Sequence, residues 1–172
     1  MNRFSWNAKQ WMIVTFAILI VLTSTAIVYQ RSSATPASGV SGATLATGRL
    51  DEAIRVKLKE DGLGFGNGQA ITNLNILRLV GEQPGAQFGW HQHSGPHWVL
   101  VTAGTLTYYD VEGGTCNAKV YQTGSAFLDP GNNTHTARNE GTVPVEVFVV
   151  NMLPEGGASR IDLPDPGICS FQ

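Results

Sequence analysis

The sequence predicts an all-β domain, a double-sheet jelly-roll barrel, preceded by an N-terminal transmembrane helix and a flexible linker. Three observations lead there. A charge-free apolar run occupies residues 11–29; a Ser, Ala, Thr, Gly and Pro stretch follows it; and from residue 70 onward about eight short apolar segments alternate with turn residues and show no convincing helix.

Composition supports one folded unit. The chain has 172 residues with 42% apolar and 14% charged side chains, so it holds enough apolar surface to bury a core and is long enough for an anchoring segment plus one domain. Its 20 Gly and 8 Pro mark a turn-rich chain. Residues 32–172 carry 8 basic and 13 acidic side chains, a net of −5, and this excludes a surface that neutralises a phosphate backbone; no nucleic-acid partner is expected.

Trp11 to Tyr29 spans 19 positions without a charge. As a helix rising about 1.5 Å per residue it would nearly cross a hydrocarbon core roughly 30 Å thick. Arg3 and Lys9 precede it and Arg31 follows, so the basic excess puts the N-terminus in the cytoplasm and the domain outside. The rival reading is a cleaved signal peptide, with Ser24 and Ala26 as small residues at the cleavage site. Residues 1–30 are therefore a membrane anchor or signal segment, and either reading places the rest outside the cytoplasm. The anchor is preferred, since 19 positions exceed the usual apolar core of a signal, about 7–15 residues.

Residues 31–47 read as a flexible linker, because small polar residues bury too little surface to order themselves. The folded part is expected over 48–172. Arg49 to Glu60 fits either a short helix or an alternating strand. Strands follow at Ala70 to Val80, Gln87 to His93, His97 to Thr102, Thr105 to Val111, Ala118 to Gln122, Ser125 to Leu128, Thr134 to Arg138 and Val143 to Leu153. Val145, Val147 and Val149 share one face of the last, and Leu106 and Tyr108 face away from Thr105, Thr107 and Tyr109. Turn chemistry punctuates the series at Gln83-Pro84-Gly85, Ser94-Gly95-Pro96, Glu112-Gly113-Gly114 and Asp129-Pro130-Gly131. Two cysteines outside the cytosol, Cys116 and Cys169, predict one disulfide clamping the C-terminal tail to the body.

Three of the four histidines, His91, His93 and His97, fall within seven residues. On a strand, His91 and His93 point to the same face, so two imidazoles can converge on one ion at metal–nitrogen distances of about 2 Å. His135 arrives from a separate turn 42 residues after His93, a closure that a barrel allows because remote strands line one interior. Trp90, Trp98, Tyr108 and Tyr109 fit either core or pocket positions, and Asn139 reads as a backbone-satisfying residue.

At these residues the chain resembles the cupin superfamily. Gly85, His91, His93, His97 and Gly104 keep the spacing of the first cupin motif, with His97 where the family has Glu. Gly124, Pro130, His135 and Asn139 keep the spacing of the second, with Asn132 in a Gly position beside Gly131. The resemblance covers about residues 70–153. It implies a β-barrel holding one divalent transition metal (Fe, Mn, Ni, Cu or Zn) on His91, His93 and His135, with His97 at the fourth ligand position; members without the Glu can use three His alone, so ligation by His97 stays open. It also implies a homodimer.

Neutral imidazoles leave such an ion nearly its full charge, so an oxygen-donor small molecule such as a carboxylate or enolate is the expected ligand. With a redox-active ion the expected chemistry is a dioxygenase-like oxidation, and with Zn an isomerisation or hydrolysis. The alternative is a non-catalytic module that captures a small molecule or metal. No general acid or base stands out in a motif.

Overall fold

The computed structural model describes residues 33–171, apart from 56–57, 61–62 and 66–68. The apolar run at 11–29 lies outside the described residues, and among those described no helix is long and apolar enough to cross a membrane.

The described chain is all β. Its strands are β1 (Val40–Arg55), β2 (Leu58–Glu60), β3 (Leu63–Phe65), β4 (Ala70–Gly81), β5 (His91–Gln92), β6 (His97–Ala103), β7 (Thr105–Glu112), β8 (Thr115–Gln122), β9 (Ala126–Asp129), β10 (Thr134–Arg138), β11 (Val145–Pro154) and β12 (Ile161–Asp162). They form one sheet in the order β1-β4-β11-β6-β9, a second in the order β12-β5-β10-β7-β8, and a β2-β3 hairpin. Every pairing is antiparallel. The expected double-sheet architecture is present, and the eight expected strands correspond to β4 through β11.

Alternation decides which side chains meet between the sheets. His97, Val99 and Val101 of β6 are buried, whereas Trp98 and Leu100 point outward and are exposed. On β11 the residues Val145, Val147 and Val149 face inward as expected, and they pack with Phe88, Leu106 and Ala137 into one cluster. Fully burying side chains of this kind stabilises by roughly 1.5–3 kcal/mol each, so this cluster rather than surface charge holds the sheets together.

The linker expectation needs a correction. Val40 to Thr47 belong to β1, which pairs with β4 from Val40↔Gly81 to Arg49↔Asn73 and on to Arg55↔Ala70, with irregularities at Thr44/Ala46 and Arg49/Ile54. Almost every β1 side chain is exposed, so burial leaves no apolar periodicity to read. Backbone hydrogen bonding to β4 makes the strand, and composition does not report that. The same ladder resolves Arg49 to Arg55 as strand.

The C-terminal tail returns over the second sheet. Cys116 on β8 and Cys169 form the expected disulfide, closing a separation of 53 residues. Beyond it Phe171 packs edge-on against Tyr109 at 5.2 Å between ring centroids and lies under the Arg138 guanidinium at 4.2 Å. Trp90, 1% exposed, lies 6.3 Å from the same ring. The tail thus covers the face of β7 opposite the barrel interior.

Candidate metal centre

Two loops build the site by gripping each other. Ser94-Gly95-Pro96 carries the chain from β5 to β6, and Pro130-Gly131 carries it from β9 to β10. Gly131 has φ +95°, and a Cβ there would run into the carbonyl oxygen of Gly95, so the approach admits only glycine. The His93 amide donates to the Gly131 carbonyl at 2.6 Å. This contact, together with the β10–β5 register that sets His135 opposite His91, closes the 42-residue gap.

His91, His93 and His135 are all buried, and each offers a ring nitrogen within 4.8 Å of the others. Their tautomers follow from their backbone partners. His91 Nδ1 faces the Gly89 carbonyl at 2.7 Å, His135 Nδ1 faces the Asn133 carbonyl at 3.1 Å, and His93 Nδ1 faces the Ser159 carbonyl. A carbonyl only accepts, so each Nδ1 carries the proton and each Nε2 presents a lone pair. Yet His93 Nε2 and His135 Nε2 lie 3.2 Å apart. Two nitrogens bound to one ion at about 2.0–2.1 Å sit roughly 2.9–3.4 Å apart, so the ring set fits a divalent metal, and a proton between these nitrogens is not needed.

Electrostatics agree. Burial pushes His91 far below the ordinary imidazole range, with repulsion from His135 adding to it. His93 is lowered to about 4, first by burial and then by His135. His97 is lowered by burial, then by His93 and His135; His135 is lowered by burial, with Asp129 opposing. All four rings are therefore neutral near pH 7, the state in which imidazole binds metal.

His97 stands slightly apart. It belongs to a second group with Asp129 and His135, and its ring centroid is 3.9 Å from that of His93. Its Nδ1 is buried without a hydrogen bond, 3.6 Å from Asp129 Oδ1. Asp129 is 1% exposed; it accepts from the Gly131 amide at 2.6 Å and from the Tyr108 hydroxyl, and its Oδ2 lies 3.4 Å from His135 Nδ1. Tyr108 in turn stacks on His135 at 5.4 Å, and burial, then the Asp129 charge, raises its phenol so that it keeps its proton.

A cavity of about 350 Å³ adjoins the four imidazoles. Leu77, Leu79, Phe88, Val99, Phe127 and Val149 supply apolar wall, and Tyr108, Asn151, Ser159 and Arg160 supply polar lining. The aromatic residues left open by sequence divide here. Tyr108 lines the cavity, Tyr109 and Trp90 pack under the tail, and Trp98 faces outward. Asn139 is structural as expected: its amide donates to the Val143 carbonyl at 2.9 Å and accepts from the Gly141 amide at 3.1 Å.

Asp129, Asn151, Ser159 and Arg160 escape a motif-based reading. Asn151 was still signalled by period two, since it continues the inward face of Val145, Val147 and Val149. Asp129 sits beside the Pro130-Gly131 turn. Ser159 and Arg160 come from a return loop whose position only the fold defines.

Residues 78–151, which contain both loops and every histidine, match the family described as Cupin domain. That segment is a cupin domain. No curated protein matches this cupin. Among solved structures it is similar to Bacillus subtilis oxalate decarboxylase, a protein with Mn(II) centres, at 20% identity and a TM-score of 0.47, covering 52% of this chain and 24% of that one. It is also similar to oxalate oxidase in complex with the substrate analogue glycolate, at 17% identity and a TM-score of 0.48, covering 70% of this chain and 55% of that one. A Streptococcus pyogenes protein of unknown function aligns at 13% identity and a TM-score of 0.45, over 73% of this chain and 78% of its own. The cupin thus spans about a quarter of the oxalate decarboxylase and about half of the oxalate oxidase.

Proposed function

We propose that this cupin is a membrane-tethered, extracytoplasmic metal protein that performs a dioxygenase-like oxidation on a small oxygen-donor molecule. The observation that carries the reading is the pair of Nε2 lone pairs of His93 and His135 facing each other at 3.2 Å. His91, His93 and His135 hold the ion, and His97 stands beside them as the fourth imidazole. When bound there, a divalent transition metal supplies Lewis acidity, open coordination positions and, if redox-active, access to dioxygen chemistry.

The chain's own residues do the rest. Backbone carbonyls of Gly89, Ser159 and Asn133 fix the three ring orientations. The Asp129 carboxyl faces His97 and His135 and is itself held by Tyr108 and the Gly131 amide. The leucine and valine walls give the cavity an apolar side, and such low-polarity surroundings strengthen charge interactions beside them. The Cys116–Cys169 disulfide supports an oxidising compartment, in keeping with an N-terminal anchor.

The cavity also supports a second reading, a non-catalytic binder, because no Asp or Glu lines it among the described residues. Oxygen uptake by the full chain loaded with Fe(II) or Mn(II), measured over small carboxylates and enolisable ketones, separates the two. Substrate-dependent uptake that disappears in His91→Ala supports oxidation. Stoichiometric metal with no uptake on any of them favours the binder.

A further inference from the structure

Asn151 is 0% exposed, on the central strand β11, and directly opposite His97 in the register. Neither its amide nitrogen nor its amide oxygen has a hydrogen-bond partner, and the residue lines the cavity. A buried amide left unpaired is costly, so the Asn151 amide calls for a polar partner from outside the chain, a water or a ligand group. A leucine would fill the same space without that cost.

A second residue of the cavity lining also carries an unpaired group. Arg160 donates from Nε to Asp162 at 2.5 Å, but its Nη2 is buried without a partner. Both groups adjoin the histidine cluster: Asn151 is the cross-strand partner of His97, whose ring lies 3.9 Å from that of His93 at a tilt, and the carbonyl of Ser159, next to Arg160, receives the His93 Nδ1 proton. No acidic side chain lines the cavity among the described residues, so its one formal charge is the guanidinium. The volume, about 350 Å³, lies at the small end of the roughly 300–1,000 Å³ that hold small ligands.

We infer that Arg160 and Asn151 read the head of a small monocarboxylate whose compact apolar body fills the leucine and valine side of the cavity. Arg160 donates from Nη2 to a carboxylate oxygen, and the Asn151 amide takes the remaining polar group at the same end. The inference deepens the proposed function by naming its ligand class, and rests on that reading for the ion beside the carboxylate. Arg160 and Asn151 act here as specificity residues, since neither is needed to hold the metal.

The test is calorimetric titration of the full chain, both Zn(II)-loaded and metal-free, with benzoate, benzamide and oxalate, alongside Arg160→Gln and Asn151→Leu. Expected is saturable benzoate binding that weakens about tenfold or more in each variant while bound zinc stays unchanged. Asn151→Leu should also raise the urea midpoint, whereas loss of a merely structural amide would lower it. Should Asn151→Leu not fold, Arg160→Gln carries the comparison. Equal benzoate affinity in the variants overturns the inference, as does tighter binding of benzamide or oxalate than of benzoate, or no benzoate binding at all. Arg160-dependent benzoate binding in a chain that takes up no zinc leaves the inference standing and removes the metal reading instead.

Discussion

His135 is the direct cross-strand partner of His91, although 44 residues separate them, and this pairing puts the imidazole of the second motif among those of the first. The register is held from both sides, because β10 pairs with β5 on one edge and with β7 along Thr134↔Val111 to Arg138↔Thr107 on the other. A slip of one residue would turn His135 out of the barrel.

The buried carboxylate should tune the ion without touching it in the ligand set. Asp129→Asn removes the charge facing His97 and His135 while keeping the shape, and metal affinity is expected to fall about 10–100-fold, as for other groups that orient metal-bound imidazoles. Competition with a chromophoric chelator measures it; affinity equal to wild type would show that Asp129 serves only the Pro130-Gly131 turn.

Acid should weaken the metal-free protein in a defined direction. The histidines are held below an unfolded value of about 6.5, His93 at about 4, so between those values the unfolded chain binds protons that the folded one refuses. Stability is therefore complete above about pH 6.5 and declines as pH falls toward 4. His93 alone accounts for about 2 kcal/mol lost at pH 5. Urea midpoints of the chelator-treated full chain at pH 7.5, 6 and 5 should drop in that order; a flat series would contradict the neutral buried rings.

Reduction should release the tail. The 53-residue separation closed by Cys116 and Cys169 corresponds to about 4 kcal/mol of unfolded-state entropy. The Cys116→Ser/Cys169→Ser variant is expected to lose roughly 2–4 kcal/mol in urea denaturation. Its Phe171 no longer stays over Tyr109 and Trp90, so acrylamide quenching of tryptophan should increase. Unchanged stability and quenching would mean that the ring contacts hold the tail without the bond.

Removing the phenol of Tyr108 should cost stability locally. In Tyr108→Phe, Asp129 loses a buried donor and the Asn133 side chain loses its acceptor at 2.8 Å, for a destabilisation of about 1–3 kcal/mol. Denaturant unfolding checks this, and a neutral or stabilising result would place the Tyr108 hydroxyl outside the network.

What the sequence made legible is what local chemistry decides. The alternation of Val145, Val147 and Val149, the turns at Gly95-Pro96 and Pro130-Gly131, the spacing of His91 and His93, and the place of His135 just after Pro130-Gly131 all follow from side chains within a few positions of one another. The strand at Val40–Arg55 stayed hidden because it is an edge strand whose side chains stay in water, so its only signature is hydrogen bonding to β4. Asp129 and Arg160 were invisible for a different reason: each draws its role from partners more than twenty residues away or from a cavity that exists only after closure. His97 lies between these cases. Its place beside the site was legible, but its turn toward Asp129 was not.

Metal content of the purified full chain and of His135→Ala, measured by elemental analysis after identical loading and desalting, tests the centre most directly. The account predicts about one divalent transition metal per chain in the wild type and a near-complete loss in the variant, with cooperative unfolding retained. Equal metal in both proteins would contradict it.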